Sequence, residues 1–374
     1  MITPILMPTW GLTMEEGTIV QWLVDEGAEI VIGMDLVEIE TTKIANVLES
    51  QQAGILRRRI ARPGETYACG QLIGVLADSE TGDAAIETFV GGFAGQAATS
   101  EEVEEMGGPG HLDLPDGRTI RYLTVGDGDD GNLPAVFIHG FGGDLASWQF
   151  NLPVIAQDRK TYALDLPGHG GSSKDLKIGS LSELVSGVVD ALALLQLENF
   201  HLVGHSLGGA VAAAIAIAAP DCVATLSLIA PVGFGSEIDM SYVKDFIAAQ
   251  RTRDLQRCLG RLFHDPAAVS RQMADDMAQY KRLDGVPQAL QKIADNCLSL
   301  EIGDDHLRQI SALPLSVMVV WGKDDAILSP EALLTLPADI TRHELDEVGH
   351  MPQMEAASQI NDLLKAHMTK GDCV

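Results

Sequence analysis

A serine between two glycines is the first candidate for chemistry in this chain. The segment Gly204-His205-Ser206-Leu207-Gly208 fits the pattern G-x-S-x-G, with an apolar stretch before it and an Ala-rich helical stretch after it. In that context the serine occupies a sharp strand-to-helix turn, where flanking glycines avoid clashes and the following helix N-terminus favours developing negative charge. We therefore predict that Ser206 is a nucleophile.

A serine hydroxyl needs a base, and the chain order expected for this turn is serine, then an acid, then histidine. The stretch "VVWGKDDAILSP" places Asp324 and Asp325 beyond a predicted strand, and "ELDEVGHMPQ" places His350 in a loop after the last strand. We predict His350 as the general base. We prefer Asp325 as the carboxylate that orients it, because Asp325 lies three residues after Gly322, and we interpret Asp324 as a surface or structural residue.

Two backbone amides are candidates for an oxyanion hole. The motif "FIHGFGG" follows an early predicted strand, and a His-Gly turn there can aim the N–H of Phe141 at a developing oxyanion. The second donor would be the N–H of Leu207, directly after the nucleophile. We interpret His139, His169 and His205 as structural residues.

A lysine in the first eighty residues is the other candidate for chemistry. This region contains a repeat with an offset of 37 residues. Its copies share the glycine spacing, Gly17, Gly27 and Gly33 then Gly54, Gly64 and Gly70, and the apolar pairs Ile19 with Leu56, Leu23 with Ile60, Leu36 with Ile73, and Ile39 with Leu76. Each copy indicates a β-unit too small to bury its own face, so the two should pack together. Lys43 lies between the copies, and we expect it at the exposed tip of a turn joining two equivalent strands.

The patterns predict two domains joined by a linker. Residues 1–79 form the repeat, and residues 80–110 contain seven acidic residues, no basic residue and many Gly and Ala, which predicts a flexible linker with a short helix in "AAIETFVGGF". From residue 111 to 370, strand and helix patterns alternate, which is typical of a mostly parallel sheet flanked by helices. Within that domain, residues 237–299 lack strand patterns and are interpreted as a helical cap.

Composition limits the classes of function. The chain has 374 residues and a formal net charge of −28, which argues against binding to nucleic acid or to anionic membranes. It contains no run of eighteen apolar residues, and its N-terminus lacks the basic start of a signal peptide. The five cysteines are scattered, so we expect neither disulfides nor a metal site, and we expect a cytoplasmic protein.

Both regions resemble known families. Residues 112 to 368 resemble an α/β-hydrolase, through the ordered motifs "FIHGFGG", "DLPGHGGSS", "GHSLGG", "WGKDD" and "VGHMP". Residues 1 to 79 resemble a lipoyl domain, and the resemblance implies that Lys43 carries lipoate, although Thr42 and Gln52-Ala53 depart from the family pattern. The expected fold is therefore a small all-β barrel-sandwich domain followed by an α/β-hydrolase domain with a helical cap.

The combination resembles the dihydrolipoamide acetyltransferase component of bacterial acetoin-cleaving systems. That resemblance implies lipoate on Lys43 as cofactor and coenzyme A as co-substrate. It also implies two partners, a thiamine-diphosphate-dependent acetoin-cleaving enzyme and dihydrolipoamide dehydrogenase. We further expect the protein to form a homo-oligomer.

Three functions remain open from the residues alone. The first is an acyltransferase, the second is a hydrolase (esterase, thioesterase or C–C bond hydrolase) with an attached lipoyl domain, and the third is a carrier whose hydrolase-like domain is inactive. An anionic coenzyme would need a local basic patch in so acidic a chain. Candidates lie in the cap at helical spacing, which fits a merely solvated helix face equally well: Arg251, Arg253, Arg257 and Arg261.

Overall fold

The computed structural model of the chain contains two compact units, Met1–Met106 and Gly107–Val374, and the division falls inside the predicted linker. The structure describes most residues of both units. The described residues are 2–8, 16–31, 33–40, 45–50, 52–68, 71–78, 81–94, 109–128, 131–235, 238–298 and 309–372.

The first unit consists of two antiparallel four-stranded sheets. Their orders are β1-β8-β6-β3 and β5-β4-β2-β7. The strands are β1 (Ile2–Leu6), β2 (Glu16–Trp22), β3 (Glu29–Ile30), β4 (Asp35–Glu40), β5 (Ala45–Glu49), β6 (Gly54–Arg59), β7 (Thr66–Ala68) and β8 (Leu72–Ala77).

The two copies of the sequence repeat exchange strands in a symmetric way. In each copy the first strand pairs with the last strand of its own copy and with the short middle strand of the other: β2 pairs with β4 and β7, and β6 pairs with β8 and β3. Among the glycines that mark the repeat, Gly27 (φ 89°), Gly33 (80°) and Gly64 (86°) lie at turns with positive φ, whereas Gly17 and Gly54 lie within β2 and β6. The prediction that the copies pack together is therefore confirmed.

The shared core of this unit follows the repeat offset at three of the four apolar pairs. The buried members are Ile19, Leu36, Ile39, Leu56, Ile73 and Leu76, each at most 3% exposed. The fourth pair behaves differently, because Leu23 is 43% exposed. Beyond the last strand, helix α1 (Asp83–Ala94) confirms the predicted short helix and buries Ile86 against β8 residues Leu72 and Val75.

The second unit is built on one eight-stranded sheet of order β16-β15-β14-β13-β11-β12-β10-β9. Strands β9 and β10 are antiparallel additions at one edge, and the other six are parallel. The strands are β9 (Gly110–Asp113), β10 (Thr119–Val125), β11 (Ala135–Ile138), β12 (Thr161–Leu164), β13 (Phe200–His205), β14 (Val223–Ile229), β15 (Ser316–Gly322) and β16 (Thr341–Leu345).

Helices connect these strands and supply the predicted cap. They are α2 (Leu152–Ile155), α3 (Leu181–Leu194), α4 (Leu207–Ala218), α5 (Met240–Ala248), α6 (Thr252–Gly260), α7 (Arg271–Tyr280), α8 (Val286–Ile293), α9 (Pro352–Glu355) and α10 (Ala357–Asp372). Helices α5 to α8 lie between β14 and β15 and confirm the helical cap. None of the described helices is long and apolar enough to cross a membrane.

The sequence explains why these segments fold as they do. Strands β11 and β13 are short apolar runs that are buried on both faces, as parallel strands between helices require. Helix α3 begins at Ser180, whose side chain accepts a hydrogen bond from the Glu183 amide and so caps the first turn. The carboxyl ends of the parallel strands meet at one edge of the sheet, and the predicted site residues follow those ends.

Candidate active site

Ser206 occupies the strained turn that its motif predicts. It lies between β13 and α4 with φ 53° and ψ −116°, a conformation that a non-glycine residue adopts only when its surroundings enforce it. The surroundings are tight, because a Cβ on Gly204 would lie 2.3 Å from the Gly208 carbonyl oxygen and a Cβ on Gly208 would lie 2.3 Å from the Ile138 carbonyl oxygen. The two glycines therefore permit the close strand-to-helix approach that presents the serine hydroxyl.

The structure brings Ser206, His350 and Asp325 into one hydrogen-bonded chain. The Ser206 hydroxyl lies 3.0 Å from His350 Nε2 and donates to it. The opposite ring nitrogen, His350 Nδ1, donates to Asp325 Oδ2 over 2.7 Å. All three side chains are buried, at 8% exposure or less. This is the arrangement in which a histidine removes the proton of an attacking serine while the carboxylate holds the ring in the required tautomer.

Asp325 is fixed by the backbone that follows it. Its Oδ1 accepts from the amides of Ile327 (2.8 Å) and Leu328 (2.9 Å), and its Oδ2 also accepts from Trp321 Nε1 (3.0 Å). Burial disfavours the charged form, but the facing His350 and the donated hydrogen bonds outweigh it, and the pKa of Asp325 lies below its usual range. The carboxylate is therefore ionised where it faces the imidazole.

The neighbouring Asp324 is placed differently. Its Oδ2 lies 2.9 Å from His264 Nδ1, and both side chains are about half exposed, at 46% and 44%. It makes no contact with His350 among the described hydrogen bonds. The geometry thus places Asp325, and not Asp324, against His350, which agrees with the preference drawn from the sequence.

The loop that carries His350 is held by three further groups. His205 Nε2 donates to the His350 carbonyl oxygen over 2.8 Å, and burial, with the nearby His350 ring, lowers the pKa of His205 to about 3, so that its ring is neutral. On the other side, the His350 amide donates to the carbonyl oxygen of Leu262 in the cap. Glu355 accepts from the amides of Gly349 (2.9 Å) and His264 (2.7 Å) and thereby links the same loop to the cap.

Sequence reasoning missed Glu355. Its partners are backbone amides, which leave no trace in residue type or spacing. It also assigned His205 only a general structural role, because nothing in the motif indicates that its ring reaches the carbonyl of a residue 145 positions away.

The predicted oxyanion donors lie next to Ser206. A Cβ on Gly140 would lie 3.0 Å from Ser206 Cβ, so the His-Gly turn runs directly beside the serine. His139 fixes this turn, since its Nδ1 donates to the Gly140 carbonyl oxygen over 2.7 Å while its Nε2 accepts from the Leu166 amide. Within the described part of the chain, the amides of Phe141 and Leu207 donate to no other protein group. Both N–H groups are therefore available to a substrate oxygen.

Lys43 lies outside the described residues. The strands on either side of it are described: β4 and β5 pair antiparallel, with Glu40 opposite Ala45. The predicted turn at Lys43 therefore falls in sequence between two strands that pair with each other.

The four cap arginines divide into two sets. Arg261 is engaged, because its guanidinium pairs with Asp239 and Asp245 and lies over the Tyr242 ring. The other three are exposed: Arg257 is 80% exposed with one i,i+3 contact of 3.7 Å, and Arg251 and Arg253 form no ion pair with a described residue.

Fold and site together define a class: a small all-β domain of the biotinyl/lipoyl type joined to an α/β-hydrolase domain with a Ser-His-Asp site. Two family models agree with this division. The α/β hydrolase family model matches residues 135–363, and the model described as "Biotin-requiring enzyme" matches residues 3–76.

Full-length relatives refine the class. The chain is 40% identical to the dihydrolipoyllysine-residue acetyltransferase component of the acetoin cleaving system of Cupriavidus necator, over 98% of this chain and 97% of that one. It is also 40% identical to the component of the same name from Pseudomonas putida, over 99% of both chains. The chain belongs to the family of acetyltransferase components of acetoin cleaving systems. Among solved structures, a meta-cleavage product hydrolase from Pseudomonas fluorescens shares the hydrolase fold, with a TM-score of 0.62 and 18% identity over 70% of this chain and 97% of that chain.

Proposed function

We propose that the chain moves an acetyl group from a lipoyl thioester on Lys43 to coenzyme A in acetoin catabolism, by way of an acyl intermediate on Ser206. The observation that carries the proposal is the Ser206-His350-Asp325 geometry in a chain that also contains a lipoyl domain. The relatives of the same architecture bear the name of that acetyltransferase component.

The first half-reaction acylates the serine. Ser206 Oγ attacks the thioester carbonyl carbon while His350 Nε2 accepts the hydroxyl proton, and Asp325 holds the imidazolium. The amides of Phe141 and Leu207 donate to the oxyanion. As the C–S bond breaks, His350 returns the proton to the leaving sulfur, which leaves acetyl-Ser206 and a free dihydrolipoyl thiol.

The second half-reaction transfers the acetyl group onward. His350 accepts the proton of the coenzyme A thiol, whose sulfur attacks the acetyl-serine carbonyl carbon. The same two amides stabilise the second oxyanion. When the C–O bond breaks, His350 returns the proton to Ser206 Oγ, and acetyl-coenzyme A is released.

The lipoyl group, attached to Lys43, would supply the acyl thioester. In the sequence, Lys43 falls between β4 and β5, two strands that pair antiparallel. Because the donor is tethered to the same chain as the serine site, its effective concentration exceeds that of a free thioester.

For the acceptor, we propose that Arg251, Arg253 and Arg257 attract the phosphates of coenzyme A. The described cap segment 238–298 carries nine Lys and Arg against eight Asp and Glu, whereas the whole chain carries 25 against 53. The cap therefore repels a polyanion less than the chain as a whole does. Helix α6 also leads into Leu262, whose carbonyl accepts from the His350 amide, so the patch is connected to the catalytic loop.

The proposal includes the other components of the system. A thiamine-diphosphate-dependent acetoin-cleaving enzyme would acetylate and reduce the lipoyl group, and dihydrolipoamide dehydrogenase would reoxidise the dihydrolipoyl group that remains after transfer. The chain would assemble as a homo-oligomer. A cytoplasmic location agrees with the free cysteines among the described residues, Cys222, Cys258 and Cys297.

The decisive experiment supplies acetyl-dihydrolipoamide with and without coenzyme A and measures acetyl-coenzyme A and free acetate. Transfer requires coenzyme A-dependent consumption that is abolished in Ser206→Ala. Release of acetate at the same rate with and without coenzyme A would instead support a hydrolase. In parallel, intact mass spectrometry of the native protein tests for a lipoyl-sized increment that is absent in Lys43→Arg.

A further inference from the structure

Lys281 is a buried cation in the cap that has no carboxylate partner. It follows the last residue of α7 and is 7% exposed. Its ammonium donates to three backbone carbonyls at the C-terminal end of α5: those of Phe246, Ile247 (3.2 Å) and Ala249 (2.6 Å). Within the described residues, no acidic side chain lies at ion-pair distance from it. Lys281 is therefore a C-terminal cap supplied to α5 from another helix.

Burying such a cation costs free energy, so the contacts that it makes must offset that cost. Burial lowers the pKa of Lys281 to about 8. Three carbonyls use all three donors of the ammonium, and the C-terminal end of a helix favours positive charge. The last turn of α5 is therefore held more firmly by the lysine than it would be if its carbonyls were bonded to water.

That last turn carries Phe246, which is 1% exposed. The Lys281 ammonium lies 4.7 Å from the centre of the Phe246 ring, so it holds this residue by its carbonyl and by its π-face. The Phe246 ring also stacks on the Tyr242 ring, with centroids 6.0 Å apart and planes 18° apart. Two contacts, to Lys281 and to Tyr242, therefore restrict the orientation of the Phe246 ring.

The Phe246 ring packs on the oxyanion turn. A Cβ on Gly142 would lie 2.7 Å from two atoms of this ring, so the ring lies directly on the Gly142 backbone, whose φ is +74°. The ring also meets the Phe141 ring edge to face, with centroids 5.9 Å apart. His139 holds the same turn through the Gly140 carbonyl. The turn that carries the Phe141 amide is therefore held on one side by the hydrogen bond from His139 and on the other by the Phe246 ring.

We propose that Lys281 is a positioning residue for the oxyanion site: by capping α5 it presses Phe246 onto Gly142 and aims the Phe141 N–H. The proposal rests on the oxyanion role given to Phe141 under the proposed function. Its effect belongs to the transition state, where the oxyanion forms, and so it should change kcat more than KM.

The test uses the full-length protein and p-nitrophenyl acetate, an activated ester that needs the serine and the oxyanion donors but neither lipoate nor coenzyme A. Lys281→Met removes the donors and keeps the stem, and should lower the acylation rate about tenfold with KM changed less than twofold. Lys281→Arg should retain most of the rate. Lys292→Met is the matched control, because Lys292 is a cap lysine that donates to the Leu176 carbonyl, away from the oxyanion turn.

A pH profile adds a readout that a purely structural role would not give. The acylation rate of the native protein should fall above about pH 8 as Lys281 loses its charge, and Lys281→Arg should abolish that fall. Cys258 on α6 and Tyr242 on α5 also pack on this region, and Asp245 on α5 lies nearby, paired with Arg261. Burial raises the pKa of Cys258 and of Tyr242, so neither accounts for a transition near pH 8.

Several outcomes would overturn the proposal. One is folded Lys281→Met with native kcat, and another is a variant whose thermal stability falls while its acylation rate does not. If Lys281→Met fails to fold, Phe246→Leu carries the test, because a smaller side chain should release the turn and lower kcat in the same way, and a native rate would reject the idea. A protein that acylates normally but transfers nothing to coenzyme A would instead contradict the proposed function alone.

Discussion

His205 Nε2 lies 2.8 Å from the carbonyl oxygen of His350, so the residue before the proposed nucleophile holds the proposed general base. The centroids of the His205 and His350 rings are 5.0 Å apart, and the His205 ring is neutral because burial lowers its pKa to about 3. In the proposed mechanism, a charged ring at this position would repel the imidazolium that forms on His350. A neutral donor can fix the loop without that penalty.

The first prediction removes this hydrogen bond. His205→Phe keeps the ring that packs on Gly140 but loses the donor, and we expect kcat with p-nitrophenyl acetate to fall about five- to tenfold, the value of one buried neutral hydrogen bond. His205→Gln, which retains an N–H donor, should recover part of the loss. Equal kcat values for His205→Phe and the native protein would show that the loop is positioned without His205.

The second prediction compares the two adjacent aspartates as a matched pair. Asp325→Asn should lower kcat by roughly three orders of magnitude, because the amide cannot hold the His350 tautomer that accepts the serine proton. Asp324→Asn changes the same charge on a side chain that pairs with His264, and its kcat should stay within twofold. Comparable losses in both variants would contradict the assigned triad.

How much of this site the sequence could predict depends on the kind of signal. Ser206 and His350 follow strand ends in a required chain order, and their motifs are local, so residue type and spacing are enough to nominate them. The choice of Asp325 over Asp324 was also local, since it depended on distance from the strand end. The repeat similarly predicted a shared β core, because its buried positions recur at one offset.

Other parts depend on contacts between distant segments, and no local pattern encodes them. Glu355 acts through the amides of Gly349 and His264, and Lys281 acts through carbonyls of another helix. At Leu23 the local pattern is present but misleading, because this residue follows the apolar repeat and yet is 43% exposed. The pattern gives the period of the β-unit, but strand pairing decides which faces are covered.

The third prediction concerns the coenzyme A phosphates. Arg253→Glu and Arg257→Glu should each raise the KM for coenzyme A about fivefold, and the KM for pantetheine, which lacks phosphate, should move much less. Lys370→Glu is the charge-matched control, because this exposed lysine lies near the end of α10, where the next residue, Gly371, packs against His201 at the amino end of β13. The KM for coenzyme A should also rise with ionic strength. An unchanged KM in both arginine variants would place the acceptor phosphates elsewhere.

The fourth prediction concerns stability in mild acid. His367, 2% exposed, shares hydrogen bonds with the hydroxyls of Ser227 and Ser316, and burial lowers its pKa to about 4, against about 6.5 in an unfolded chain. Because the unfolded state binds the proton first, the free energy of unfolding should fall as pH drops below 6.5, by about 2 kcal/mol for this residue at pH 5. Above pH 7, where both states are neutral, this contribution should be constant.

Urea unfolding of the full-length chain between pH 8 and 5 measures this effect, and it stays above the isoelectric point of about 4.5. The transition that also removes activity toward p-nitrophenyl acetate reports on the hydrolase unit. His367→Gln does not titrate, so its stability deficit relative to the native protein should shrink by about 2 kcal/mol from pH 8 to pH 5. A deficit that stays constant over this range would mean that His367 titrates with the same pKa in the folded and unfolded states, which its buried position between two hydroxyls argues against.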